Sequence, residues 1–271
     1  MKKIFFRFPL LSRFVLAITL GMLALIASGL ITTPFLKNYF PFIDVILLTI
    51  VTWIMYKIDN QSLRAIGLNI TFRHIGFLIL GTLIGIIAFG VVTYLRTLYT
   101  GEIWHINDHI MYKELLKALY FILPSVVVQE LMFRGYFFTK TISAIGVVRA
   151  NIVFSILFML VHVIDRDLLQ QPLPQIIFLA VAVTIGHLMF AASLLRSKTL
   201  FFPIGIHWGN NWAVSHLLSY KSNDHAIFQL TNQKVFNDWP SFIILFLIFN
   251  GFFLLLTWII WKKNKNLSLS S

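Results

Sequence analysis

The sequence predicts an all-α integral membrane protein, a bundle of about eight transmembrane helices, and three observations predict it. Fifty-eight per cent of the 271 residues are apolar and only 12% are charged, against roughly 45–50% and about 25% in a soluble domain. Mean hydropathy is +0.84. Apolar runs long enough to cross a hydrocarbon core of about 30 Å, which takes about 17–25 helical residues, recur along the chain. Alternating strands of barrel type are missing from the pattern, and helices are the other way to satisfy backbone polar groups in lipid. The chain has no cysteine, which removes disulfide scaffolds, thiolate metal sites and a cysteine nucleophile. The net charge of +12 fits basic loops facing anionic lipid, so no nucleic-acid partner is expected.

Taken in order, the first expected span is Phe14–Thr32. It follows Lys2, Lys3, Arg7 and Arg13, exceeds a signal-peptide core and lacks a good cleavage site, so it reads as a retained anchor. Pro41–Tyr56 is a short second span. A polar interlude from Asp59 to His74 leads to the third, Ile75–Leu95. The fourth should run from Glu114 to Phe138, with Glu114 and Lys117 near its boundary. The fifth, Asn151–Ile164, stops at Asp165-Arg166-Asp167. Pro172 and Pro174 restart the chain into the sixth, Gln175–Leu195. Leu200–Tyr220 is the seventh. A polar loop, Lys221–Asp238, precedes the eighth, Ser241–Trp261, which closes on Lys262-Lys263-Asn264-Lys265. Three regions follow: an anchor over 1–74, a core over 75–220, and a polar loop with the last helix over 221–271.

Eight spans put both termini on one side. Fourteen Lys and Arg then fall on the side of the termini, among them Lys57, Arg73, Lys140, Arg149, Lys198 and Lys262, and seven on the other. Basic residues favour the cytoplasm, so a multi-pass cell-membrane protein with cytoplasmic termini is expected.

Polar side chains within such spans are costly and mark function by default. Glu130 and Arg134 lie i,i+4 in the fourth span and can pair within the helix. His162 lies in the fifth, His187 in the sixth, and His207, Asn210, Asn211 and His216 in the seventh. His207 and Asn211 share one stripe, as do Phe158 and His162. At about 1.5 Å per residue, Glu130 and His207 lie at similar depths of roughly 15 Å, with His162 near 20 Å. A carboxylate, two imidazoles and an amide can therefore meet at one level. The simpler readings are an inert Glu130–Arg134 ion pair, helix–helix hydrogen bonds at His187 and His216, and plain packing for Trp208 and Trp212.

These segments resemble one family. Gln129-Glu130-Leu131-Met132-Phe133-Arg134 is similar to the Glu-Glu-x-x-x-Arg motif of the CAAX-type intramembrane endopeptidases, the CPBP or Abi family. That family includes bacteriocin-processing and immunity proteins. Phe158-Met159-Leu160-Val161-His162 resembles its Phe-x-x-x-His motif, and His207-Trp208-Gly209-Asn210-Asn211 its His-x-x-x-Asn motif. The resemblance implies peptide-bond hydrolysis at the membrane. It implies that Glu130 with His162 holds or activates water, that His207 and Asn211 stabilise the oxyanion, and that Arg134 orients Glu130. Zinc is compositionally possible on Glu130, His162 and His207, although the motifs demand no metal. One departure matters: the family's first Glu, the presumed base, is Gln129 here, and an amide cannot serve as a general base. Residues 129 and 130 differ by about 100° around the helix, so Glu130 does not simply replace its neighbour.

Three functions stay open on the sequence. One is a hydrolase of a membrane-associated peptide or protein, serving bacteriocin processing or immunity. A second is a catalytically silent relative that binds such a partner for immunity or regulation. A third is a small transporter using the same buried charges.

Overall fold

The computed structural model describes residues 9–164, 172–219, 225–232 and 239–262. Lys2, Lys3, Arg7, the Asp165-Arg166-Asp167 stop, Tyr220, Lys221, Lys234 and the residues from Lys263 onward lie outside them. Every expected span has a helical counterpart: α1 (Pro9–Ile31), α3 (Ile43–Ile58), α4 (Phe72–Thr100), α5 (Tyr112–Arg134), α7 (Val147–Ile164), α8 (Leu173–Ser197), α9 (Phe201–His216) and α10 (Trp239–Lys262). Short helices α2 (Pro34–Tyr39) and α6 (Tyr136–Ile145) join them. Among the described residues, six segments are long and apolar enough to cross a membrane, one of them being α5 with α6. The two other expected spans, α3 and α9, have 16 residues each, about 24 Å of helix.

Local chemistry sets the boundaries. Thr71 caps α4 by accepting the His74 N–H, and Gly101 ends it in the left-handed region at φ 71°. Pro172 precedes α8, where a missing N–H costs nothing. Lys198 ends α8, also left-handed, at φ 60°.

The fourth span departs from expectation. It was expected unbroken from Glu114 to Phe138, but the helix stops at Arg134 and restarts at Tyr136. Gly135 takes ψ −130°, and a Cβ there would strike the Leu131 carbonyl. The site motif therefore occupies a helix C-terminus rather than the middle of a long rod. The seventh span is also shorter than expected. After His216 the chain leaves the helix and enters a small sheet of order β1-β3-β2, built from Ile103–Ile106 (β1), Leu218–Ser219 (β2) and Phe228–Thr231 (β3). β1 pairs antiparallel with β3, Ile103 opposite Thr231, and β2 runs parallel to β3. Four-residue strands carry too little periodicity to be read from sequence.

Polar ties group the connections by level. Asp59, past the end of α3, pairs with Arg13 of α1 at 2.5 Å and Lys140 of α6 at 2.6 Å, and it accepts the Tyr136 hydroxyl. The Thr199 hydroxyl donates to the Gly67 carbonyl, and Leu200 N–H to that of Ile66. The sheet lies beyond the opposite ends of α4 and α9.

The closest helix pair is α4 with α9. Gly81 and Gly85 on α4 face Gly205 and Gly209 on α9. A Cβ on Gly81 would sit 2.6 Å from the Phe202 carbonyl oxygen, and one on Gly85 2.6 Å from Asn210 N. Paired Gly-x-x-x-Gly stripes let backbones touch, which is how helices associate without a hydrophobic drive between them.

Candidate active site

Helices α5 and α9 meet at Glu130, whose side chain is fully buried. It sits one turn before the C-terminus of α5, so Arg134 follows on the same face. Arg134 Nη1 donates to Glu130 Oε1 at 3.2 Å. From α9, His207 Nδ1 donates to the same oxygen at 2.7 Å. Arg134 is also fully buried, and His207 is 4% exposed. Two donors thus converge on one carboxylate oxygen, while Oε2 has no protein partner. Isolated buried charge is untenable, and removing one partner of such a pair typically costs about 3–5 kcal/mol.

Two further contacts fix α9 against α5. The Trp208 indole N–H donates to the Leu119 carbonyl at 2.8 Å, and that of Trp212 to Leu115 at 3.0 Å. Together with the glycine contacts to α4, they set the rotation and height of His207. Trp208 and Trp212 therefore do more than pack.

Aromatic rings hold the charged groups in place. The Arg134 guanidinium lies 4.2 Å from the Phe158 centroid and 5.0 Å from that of Phe190. Phe190 stacks on the His207 imidazole at 4.6 Å with a 17° tilt. His162 sits against Phe158, ring centroids 4.3 Å apart, and Phe158 lies 6.4 Å from His207. One ring thus touches both histidines of the motifs. His162 is half-buried, and its Nδ1 pairs with the Phe158 carbonyl one turn back.

Asn211 lies half-buried one turn beyond His207 on α9, beside Asn210, whose Oδ1 is buried without a partner. Gln129 is half-buried, and its Oε1 likewise has no protein partner. Among the described residues no three His, Asp or Glu side chains gather as metal ligands, so the conditional zinc set of Glu130, His162 and His207 is not assembled.

His187 differs from expectation. It was expected to make a helix–helix hydrogen bond, yet its ring is fully buried with neither nitrogen bonded. It packs instead against Phe138, Phe154 and Phe158, at 5.6, 6.4 and 6.1 Å. Phe190, on the same helix, went unnoticed in the sequence. Among 27 Phe, nothing marks it except its place three residues after His187, on the same face of α8. His216, at the end of α9, lies tilted beside the Trp212 ring, centroids 6.2 Å apart.

Residues 111–213 match the model of the Rce1-like family, described as type II CAAX prenyl endopeptidase Rce1-like. The matched segment begins just before α5 and ends within α9, so it contains Gln129, Glu130, Arg134, Phe158, His162, His207 and Asn211. Searches of the curated proteins and of the solved structures gave no match.

Proposed function

From the match of residues 111–213 to the Rce1-like type II CAAX prenyl endopeptidase model, we propose that the chain hydrolyses a peptide bond of a membrane-associated peptide or protein. The observation that carries the proposal is the 2.7 Å bond from His207 Nδ1 to buried Glu130 Oε1. A carboxylate that holds Nδ1–H fixes the tautomer and leaves Nε2 as the nitrogen able to take a proton, the logic by which an acid orients a catalytic histidine. Gln129 cannot serve as base, so the proton-accepting role moves to an imidazole.

In this reading His207 Nε2 or His162 Nε2 takes a proton from water as its oxygen attacks the scissile carbonyl, and returns it to the departing amine. Arg134 holds Glu130 in place. Asn211, with Gln129 beside Glu130, donates to the developing oxyanion or orients the attacking water. Such donors act most strongly in a site shielded from bulk water. The location follows from the same reasoning: a multi-pass membrane protein with both termini cytoplasmic, its core spanning 75–220. Reporter fusions after Lys140 and Lys198 should report cytoplasm, and one after Asp167 the outside.

Gln129 specifically favours a second reading, a silent relative that binds a peptide or membrane protein in immunity or regulation. The deciding experiment is cleavage of a membrane-associated peptide by the purified full chain, compared with His207→Ala and Glu130→Gln at matched expression. Loss of cleavage in both supports hydrolysis. A cellular phenotype that survives both substitutions overturns hydrolysis and leaves the binding reading.

A further inference from the structure

A second feature lies away from Glu130, on the outer face of the bundle. Helices α7, α8 and α10 enclose a groove of about 600 Å³. Its α7 wall carries Val148, Asn151, Ile152, Ser155 and Ile156 on one stripe. Its α10 wall ends in Trp258 and Trp261. From Val148 to Ile156 the groove descends about 12 Å along the helix axis, close to the roughly 15 Å depth of one leaflet's hydrocarbon. Both indoles sit at the helix end, the level at which aromatic side chains mark a membrane interface.

The mouth is basic. Lys262 is exposed, and its Nζ lies 4.6 Å from the centroid of Trp258, a wall of the groove. Arg149, also exposed, falls on the helical stripe of Ile152 and Ile156, one turn nearer the start of α7. Neither cation has an acidic neighbour in sequence within four residues. Asn151, two residues beyond Arg149 on α7, also lines the groove, and its Nδ2 donates to the Val147 carbonyl. An apolar slot close to one leaflet deep, with two cations at its mouth, describes one ligand chemistry. It is a single-tail slot for an anionic lipid.

We propose that this groove binds an anionic glycerophospholipid, with an acyl chain between α7, α8 and α10 and its phosphate between Arg149 and Lys262. The site is separate from the Glu130 centre, and its test does not depend on hydrolysis. A basic side chain beside anionic lipid contributes about fivefold in affinity, so two contribute roughly 25-fold.

The experiment is native mass spectrometry of the purified full chain in detergent with equal amounts of phosphatidylglycerol, phosphatidylcholine and farnesol. One retained phosphatidylglycerol per chain is expected. The double variant Arg149→Ala/Lys262→Ala should weaken its retention roughly 25-fold, and because both side chains are exposed the fold should survive. Ile152→Trp, which fills the slot but keeps the charges, should abolish retention as well. Equal retention of phosphatidylcholine, preferential retention of farnesol, or undiminished phosphatidylglycerol binding by the double variant would each overturn the proposal.

Discussion

Substituting Gly85 with alanine tests whether α4 sets the position of His207. A Cβ at Gly85 would lie 2.6 Å from Asn210 N and closer still to the Ile206 carbonyl oxygen, both of them backbone atoms that no rotamer change can move. Ordinary contact starts at 3.4 Å, and the tighter approach to the Ile206 oxygen requires α9 to retreat by about 1.1 Å. His207 is three residues before Asn210. His207 lies about 180° around α9 from the Gly205–Gly209 face, so a retreat of that size drives its ring toward Glu130, where the 2.7 Å bond leaves no room and the imidazole must leave its aligned position. Misplacement by about 1 Å can cost about 10²-fold in rate, and overpacking costs typically about 1–3 kcal/mol of stability. Gly85→Ala should therefore lower peptide cleavage about 100-fold and reduce the thermal midpoint. The control is Gly76→Ala on the same helix, where a Cβ meets nothing within 4 Å. There the substitution should be neutral or stabilising by up to about 1 kcal/mol. If Gly85→Ala proves as active and as stable as Gly76→Ala, the glycine contact does not position the site.

Three other substitutions separate the roles of the surrounding groups. Phe190→Leu removes the ring that stacks on both His207 and Arg134, and should lower kcat about tenfold or more while leaving KM nearly unchanged; an unaltered kcat would discount Phe190 as a positioning residue. Glu130→Gln leaves Arg134 buried without its counter-charge, so it should cost about 3–5 kcal/mol in unfolding measurements. Adding Arg134→Met should restore stability but not cleavage, and restored cleavage would relegate the pair to an inert seal. Gln129→Glu should raise cleavage by up to about 10²–10⁴-fold if the first motif position is the missing base, whereas no gain or a loss supports the histidine-based reading.

The spans were legible because an apolar run of bilayer length is a coarse signal that local detail does not erase. The i,i+4 pairing of Glu130 with Arg134 was legible for a similar reason, since a helix brings those residues together whatever surrounds them. The break at Gly135 was not. A glycine inside an apolar helix is tolerated, and only the tertiary course of α6 toward Asp59 requires the turn. The meeting of His207 with Glu130 spans 77 residues and rests on rotation about the α9 axis, which periodicity leaves free. The device that fixes this rotation was nevertheless written in the sequence. Gly81-x-x-x-Gly85 and Gly205-x-x-x-Gly209 have the spacing that brings transmembrane helices into backbone contact, and the second overlaps the motif that holds His207.

That overlap explains why Trp208, Gly209 and Asn210 matter to a site whose proposed chemistry rests on His207 and Asn211. On α9 the residues between the two reactive side chains face other neighbours: Trp208 bonds to α5 and Gly209 presses on Thr82 of α4. Each contact constrains a different direction of motion. The α5 contact fixes the height of His207 relative to Glu130, and the α4 contact fixes its distance from the bundle axis. Phe190 on α8 closes the third side by stacking on the imidazole. An imidazole held on three sides keeps its 2.7 Å bond without spending rotational entropy to form it, the kind of preorganisation that lets electrostatic stabilisation act at the moment of reaction. The same cage explains why Glu130 can stay buried beside only two donors. Arg134 and His207 are both locked by rings and backbone contacts, so neither can leave the carboxylate unpaired. Loosening any one wall should therefore lower activity before the fold is lost, and Phe190→Leu together with Gly85→Ala should be less than additive, because both release the same ring.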